Sequence, residues 1–196
     1  MSEDEKTTTI LLVGVGGQGT ILAGDLLAKT AASCGHECKI SEIHGMAQRG
    51  GSVSTVVRFG SHVSSMICDE GCADAIVAFE AIEALRAQQY LAPRGAMIVN
   101  DEIVTPLMVN IGKATMPSDI HGRLAELGAT LVPAGSIARK AGSPKSTNVV
   151  LIGALSTKLP FDDDAWRDVI ARRVPPKTVD ANLAAFDLGR QAALAL

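Results

Sequence analysis

Gly14, Gly16 and Gly19 stand at G-x-G-x-x-G spacing, between a short apolar run at Ile10–Val13 and a segment of helical periodicity. Glycines so placed permit a tight turn, close approach of a phosphate group, and an anion held by the free N–H groups that open a helix. Gly17 and Gln18 complete the run, and the Gln18 carboxamide could both donate and accept hydrogen bonds at its tip. A dinucleotide site would also need an acidic residue roughly 20 positions further on, and Glu42 is near enough to serve. The competing reading is that these glycines only let helix and strand pack closely.

A second glycine-flanked run, EIHGMAQRGG, occupies positions 42–51. In an open parallel sheet, loops that follow the strand C-termini lie side by side, so this run should face the first. It offers His44 as a candidate proton donor and Arg49 as a clamp for a carboxylate or phosphate, with Gln48, Gly50 and Gly51 completing the lip. The structural alternatives are a turn capped by His44 and an Arg49–Glu42 pair. Lys145 and Asn148 stand where a loop enters an apolar helix. Either Ser146 or Thr147 caps that helix and Asn148 is a first-turn residue, or Lys145 and Asn148 reach the same cleft as Gln18 and Arg49. Cys34/Cys38 and Cys68/Cys72 form two C-x3-C pairs, a poor metal spacing beside C-x2-C. The reading is reduced, partly buried thiols and no metal, although Cys34, Cys38 and Cys72 fall at one edge of the expected sheet.

The elements that must position these groups follow from pattern. Ile10–Val13 is a buried strand; Ala23, Leu27, Ala31 and Cys34 stripe a helix that ends at Gly35; Lys39–Ile43 is the next strand. Alternation in Ser52–Phe59 and again in His62–Ile67, around Gly60-Ser61, predicts a β-hairpin. Ala75–Phe79 and Ala96–Asn100 read as strands, Glu80–Tyr90 as a helix and Pro93–Gly95 as a turn. Gly112–Met116 and Thr130–Val132 are shorter strand candidates around a helix near Asp119–Leu127. Thr147–Leu159 is apolar enough for a buried helix. Asp162–Asp164 open another that Arg172 and Arg173 close, matching the helix dipole, and a last helix follows Val174-Pro175-Pro176.

The fold class is therefore α/β: a Rossmann-like, mostly parallel sheet with a β-hairpin insertion and C-terminal helices. At 196 residues one domain is expected, with a flexible tail at 1–9, an α/β core at 10–160 and a helical extension at 161–196. A 47% hydrophobic share with only 3% aromatics demands an aliphatic core and excludes a disordered chain. Net charge of -3 and so few aromatics argue against nucleic-acid binding. No apolar run reaches membrane-spanning length and the polar start is unlike a signal peptide, so a cytoplasmic protein is expected. Mean hydropathy of +0.24 without such a run hints at a buried subunit interface.

GVGGQGTILAG at 14–24 followed by SEIHGMAQRGGSVSTVVRFG at 41–60 resembles the gamma-type chain of 2-oxoacid:ferredoxin oxidoreductases. The HGMAQRGG form is most similar to the beta subunit of the indolepyruvate enzymes. The resemblance continues through ADAIVAFEAIEALR at 73–86, GSPKSTNVVLIGALS at 142–156 and a VPPK step at 174–177. It implies a reaction in which an aryl 2-oxoacid and coenzyme A give an aryl-acetyl-CoA, CO2 and reduced ferredoxin. Thiamine diphosphate with Mg2+, and 4Fe-4S clusters, carry that chemistry. The chain has neither the family's thiamine motif, a GDG followed by paired asparagines, nor a C-x2-C-x2-C run. The resemblance thus implies a small subunit, inactive alone, beside a larger partner that holds the cofactors. Gly14, Gly16, Gly17, Gln18, Gly19, Gln48, Arg49, Gly50, Gly51 and Asn148 would then form a lip over the partner's site. Rival readings are an independent NAD- or FAD-binding oxidoreductase and a non-enzymatic binding module of the same fold.

Overall fold

The computed structural model describes residues 7–44 and 51–195. In chain order the elements are β1 (Thr8–Val15), α1 (Thr20–Ser33), β2 (Glu37–His44), β3 (Ser52–Gly60), β4 (Ala73–Ala78), α2 (Ala81–Ala87), β5 (Leu91–Asn100), α3 (Leu107–Asn110), α4 (Ile120–Glu126), β6 (Thr130–Val132), α5 (Ala134–Lys140), α6 (Thr147–Ser156), α7 (Asp163–Arg173) and α8 (Val179–Leu194). They build one sheet in the order β2-β3-β1-β4-β5-β6. β1, β4, β5 and β6 run parallel, whereas β3 lies antiparallel between β1 and β2. The α/β class with a mostly parallel sheet and C-terminal helices is borne out.

β1 is apolar on both faces because both are covered. Ile10 and Leu12 pack with α1, α6, α7 and α8, while Leu11 and Val13 pack with α2 and α4. Helices therefore leave β1 and β4 toward opposite faces, which makes the gap at the C-terminal ends of these neighbouring strands the topological switch point, where open α/β sheets bind ligands. α1 ends as read: Gly35 takes φ 87°, the His36 N–H reaches Ala31 O and the Gly35 N–H reaches Ala32 O, the Schellman pattern. Cys34 lies just past that helix and is exposed, so it does not complete the apolar stripe.

The hairpin partner of β3 is β2, not His62–Ile67. The latter segment is not a strand, and its backbone groups are met by side chains instead of a ladder. Arg58 Nη1 donates to Ser65 O at 3.0 Å and Ile67 O at 3.1 Å, Glu37 accepts from Val63 N at 3.1 Å, and Lys39 Nζ donates to Val63 O. Gly112–Met116 is likewise no strand; Gly112, at φ 72°, closes the turn after α3. Pro93–Gly95 falls inside β5, beside a register shift at Ala73/Ala75 that accommodates it. α3 and α5 have no counterpart in the sequence reading.

α6 is buried on nearly every side, consistent with its uniform apolarity. It crosses α8 at two glycines. A β-carbon on Gly153 would fall 2.2 Å from Phe186 O, and one on Gly189 2.1 Å from Val150 O. α7 and α8 belong to the main core through Trp166, Ile170, Ala185 and Phe186, all fully buried.

Candidate functional site

The first glycine loop joins β1 to α1 at the switch point. Gln18 folds back: its N–H donates to Val15 O at 3.2 Å, and its Oε1 accepts from Val15 N at 2.9 Å. The carboxamide oxygen thus serves the loop's own turn rather than its tip. Gly14 is required by this arrangement, since a β-carbon there would lie 2.7 Å from Gln18 Oε1 and 2.9 Å from Phe79 Cβ. Gly17 and Gly19 both have positive φ, 100° and 84°. Gly19 occupies the N-cap of α1 and has no side chain to cap it, so among the described residues no side chain takes the leading N–H groups of that helix.

The two glycine runs do meet. Gly16 N–H donates to Gly51 O at 2.9 Å, and β3 brings Ser52 opposite Val15. His44 pairs with Val53 at the same sheet edge through its backbone. The His44 side chain, Gln48, Arg49 and Gly50 lie outside the described residues. Asn148, on the first turn of α6, joins the cluster: it is buried, and its Nδ2 donates to Gly19 O at 3.4 Å. Lys145 is exposed in the 3-10 turn Pro144–Ser146. Ser146 stands at the cap position of α6 but makes no capping bond; its hydroxyl donates to Asn182 Oδ1 at 2.9 Å and thereby ties α6 to α8.

The antiparallel β3 bears directly on dinucleotide binding. It separates Glu42 from the glycine loop by two strand spacings, about 10 Å. In a dinucleotide fold the acidic strand neighbours β1. Here Glu42, exposed on the edge strand, is paired with Thr55 and lies far from any ribose held at Gly14–Gly19.

Two polar residues that end buried strands escaped the sequence reading. Glu80 follows β4 and is only 1% exposed. Its carboxylate accepts from Ile82 N at 3.0 Å and Glu83 N at 2.6 Å, capping α2, and Val104 N–H also donates to it. Burial pushes its carboxyl pKa up against the pull of those N–H donors, and the nearby Glu83 adds to the rise. Asn100 ends β5 with Nδ2 on Phe79 O at 3.1 Å and Glu102 Oε2 at 2.9 Å, and Oδ1 on Ala134 N at 3.1 Å. The signal was present: an acid or amide directly after an apolar strand, as in IVAFE and MIVN, must lie at the sheet's C-terminal edge.

Glu83, also buried, takes the Ser52 hydroxyl at 2.6 Å and Arg86 Nη1 at 2.5 Å. It thereby anchors the start of β3, next to Gly51. Beside it a groove of about 520 Å³, floored by Leu11, Val13 and Val56, runs between α2 and the β2–β3 side of the sheet. The cysteines are free thiols. Cys38 is pushed up to about 11 by burial. Among the described residues no three His, Cys, Asp or Glu side chains stand close enough to hold a metal, and no helix is long and apolar enough to cross a membrane.

Comparison with known proteins agrees with this geometry along the whole chain. The family model described as pyruvate ferredoxin/flavodoxin oxidoreductase matches residues 9–192. The indolepyruvate oxidoreductase subunit IorB of Thermococcus kodakarensis is 42% identical over 195 residues, covering 96% of both chains. That of Pyrococcus horikoshii is 40% identical over 200 residues, again 96% of both. Among solved structures, the 2-oxoglutarate:ferredoxin oxidoreductase of Magnetococcus marinus, with 2-oxoglutarate, coenzyme A and succinyl-CoA bound, superposes with a TM-score of 0.75 at 25% identity. The match covers 98% of this chain and 32% of the other. A family model that spans residues 9–192 and a relative 42% identical over 96% of both chains show that the chain belongs to the pyruvate ferredoxin/flavodoxin oxidoreductase family.

Proposed function

We propose that this subunit of a 2-oxoacid:ferredoxin oxidoreductase serves an indolepyruvate-type enzyme. The complex would convert an aryl 2-oxoacid, coenzyme A and two oxidised ferredoxins to an aryl-acetyl-CoA, CO2, a proton and two reduced ferredoxins. The observation that carries the reading is the end-to-end likeness to IorB chains, 42% identical with 96% of both chains covered. Thiamine diphosphate with Mg2+, and 4Fe-4S clusters, belong in this reading to a larger partner subunit; the thiamine supplies a sink for the carbanion left by decarboxylation. The described residues of this chain offer no thiolate cluster for iron–sulfur ligation.

The chain's own part is to shape the lip. The Gly16–Gly51 contact and Asn148 behind Gly19 hold the loop at the switch point, where the N-terminus of α1 opens. Such a loop suits the diphosphate of coenzyme A, with Arg49 as a second anion contact. His44, which ends β2 two strands from that loop, is the candidate proton donor. Reconstitution tests the reading. Co-expressed with its larger partner, the chain should support coenzyme A-dependent ferredoxin reduction by indolepyruvate, and alone it should support none. Arg49→Ala should raise the KM for coenzyme A about tenfold; an unchanged KM removes the coenzyme A contact. Activity with 2-oxoglutarate but not with aryl substrates removes the indolepyruvate assignment.

A further inference from the structure

The long connection from β5 to α4 is unlike the other loops. Residues 103–117 carry Ile103, Val104, Leu107, Met108, Ile111 and Met116 and contain only the one-turn α3. Loops of this length with little structure of their own are usually either functional or linker segments. Leu107 is 69% exposed, Met108 50% and Ile111 52%. The arm is nevertheless firmly rooted. Val104 N–H binds the buried Glu80, Ala81 N–H donates to Glu102 O at 2.9 Å, Asn100 holds Glu102, and His121 Nε2 lies 2.9 Å from Asp101 Oδ1. A rooted arm with solvent-facing Leu, Met and Ile is a surface built to be covered.

Between the arm and helices α2 and α4 runs a groove of about 390 Å³. Its apolar walls include Ile82, Leu85 and Met108, and the charged side chains that line it are both arginines, Arg86 and Arg123. Arg86 is partly neutralised by Glu83, whereas Arg123 forms no ion pair among the described residues. An apolar groove with one unpaired guanidinium calls for an apolar partner that carries a carboxylate. A second copy of this chain fits poorly, because a two-fold contact through the groove would set arginines against arginines. In the Magnetococcus enzyme the matching fold makes up about a third of a longer chain, 32% of it. There the fold has further polypeptide of its own, and on the small-subunit reading the larger subunit takes that place.

We propose that the 103–111 arm and the Arg86/Arg123 groove form the docking surface for the larger subunit of the complex, which presents to it an apolar face bearing an acidic residue opposite Arg123. This rests on the reading of the chain as the small subunit of a two-chain enzyme. The arm leaves the same sheet edge as the glycine loop, so docking there would also set the lip against the partner's site.

The test is association of the two co-expressed subunits, followed by titration of the purified small subunit into the larger one. Leu107→Asp/Ile111→Asp and Arg123→Glu should each weaken association at least tenfold with unchanged circular dichroism melting. Leu194→Asp, an exposed leucine at the end of α8, should have no effect. Amide exchange across 103–111 should slow in the wild-type complex. If wild-type chains fail to associate, the small-subunit reading falls and this surface with it. If they associate and the variants associate equally well, only the surface is overturned. Loss of a concentration-dependent self-dimer in the variants, or a rise in the KM for ferredoxin with subunit association intact, would assign the face to another occupant and overturn the proposal.

Discussion

Gly19 satisfies two demands at once. Its φ of 84° is costly for any residue with a β-carbon, and that β-carbon would lie 2.8 Å from Asn148 Nδ2. Gly17 carries the first demand alone, since nothing lies near its missing side chain. Gly17→Ala should therefore cost about 1–2 kcal/mol of stability, and Gly19→Ala more, with a raised KM for coenzyme A in the assembled enzyme. Urea denaturation and steady-state kinetics read the two effects separately. Glu80 makes a different prediction. Its raised pKa means that the folded protein keeps the proton at pH values where the unfolded chain, near the ordinary 4.5, has lost it. Stability contributed by the protonated form is complete below 4.5 and declines as pH rises toward the folded pKa. Glu80→Gln should flatten that decline in melting temperature; an unchanged pH profile would show that Glu80 does not cause it. The glycine loop was legible because spacing between a strand and a helix is a local property. For Glu80 only the place after an apolar strand was legible; its burial was not, because that depends on Val104 and on α2, neither of which marks it in the sequence.

At the scale of elements, the two glycines of the α6–α8 crossing are the tightest constraint. A methyl at Gly153 or Gly189 has a backbone carbonyl in its place, and a backbone yields less than a side chain would. Either Gly→Ala change should destabilise by about 2–3 kcal/mol and lower the melting temperature by about 5–10 °C. A loss below 1 kcal/mol would mean that the helices separate easily. Long elements with one clear period, such as α1 and β3, were readable from pattern. The partner of β3 was not. His62–Ile67 alternates like a strand, yet Arg58, Lys39 and Glu37 claim its backbone, and β2 takes the ladder instead. Alternation reports which side chains face inward; it does not say which strand lies alongside. α3 is a single turn, too short to show a period, and α5, AGSIARK, carries one large apolar residue, Ile137.

At the scale of the molecule, the few aromatics are concentrated rather than spread. Phe59, Phe161, Trp166 and Phe186 form a ladder with ring centroids 5.2–6.0 Å apart, joining β3 to α7 and α8. Across its rim Arg173 bonds Asp25, which ties α7 to α1. Burial raises the Asp25 pKa, but bonds from Arg173 and Lys29 outweigh it and leave the carboxyl below its ordinary 3.8. That stabilisation is present above 3.8 and disappears as the pH falls through the folded value. Arg173→Ala should cost at most about 1 kcal/mol near neutrality, since the pair is partly exposed, and the difference from wild type should shrink in acid. Thermal melts at pH 7 and pH 3 would measure both.

The order of synthesis gives the Asn148 contact a further meaning. The loop at 14–19 precedes its own support: that comes from α6, and α6 is held in turn by α8 at 179–194. A nascent chain can pair β1 with β3 and β4 long before that pillar exists. Its loop has its full support only once α6 and α8 have followed. A chain cut before α8 should therefore display the glycine motif on an unsupported loop.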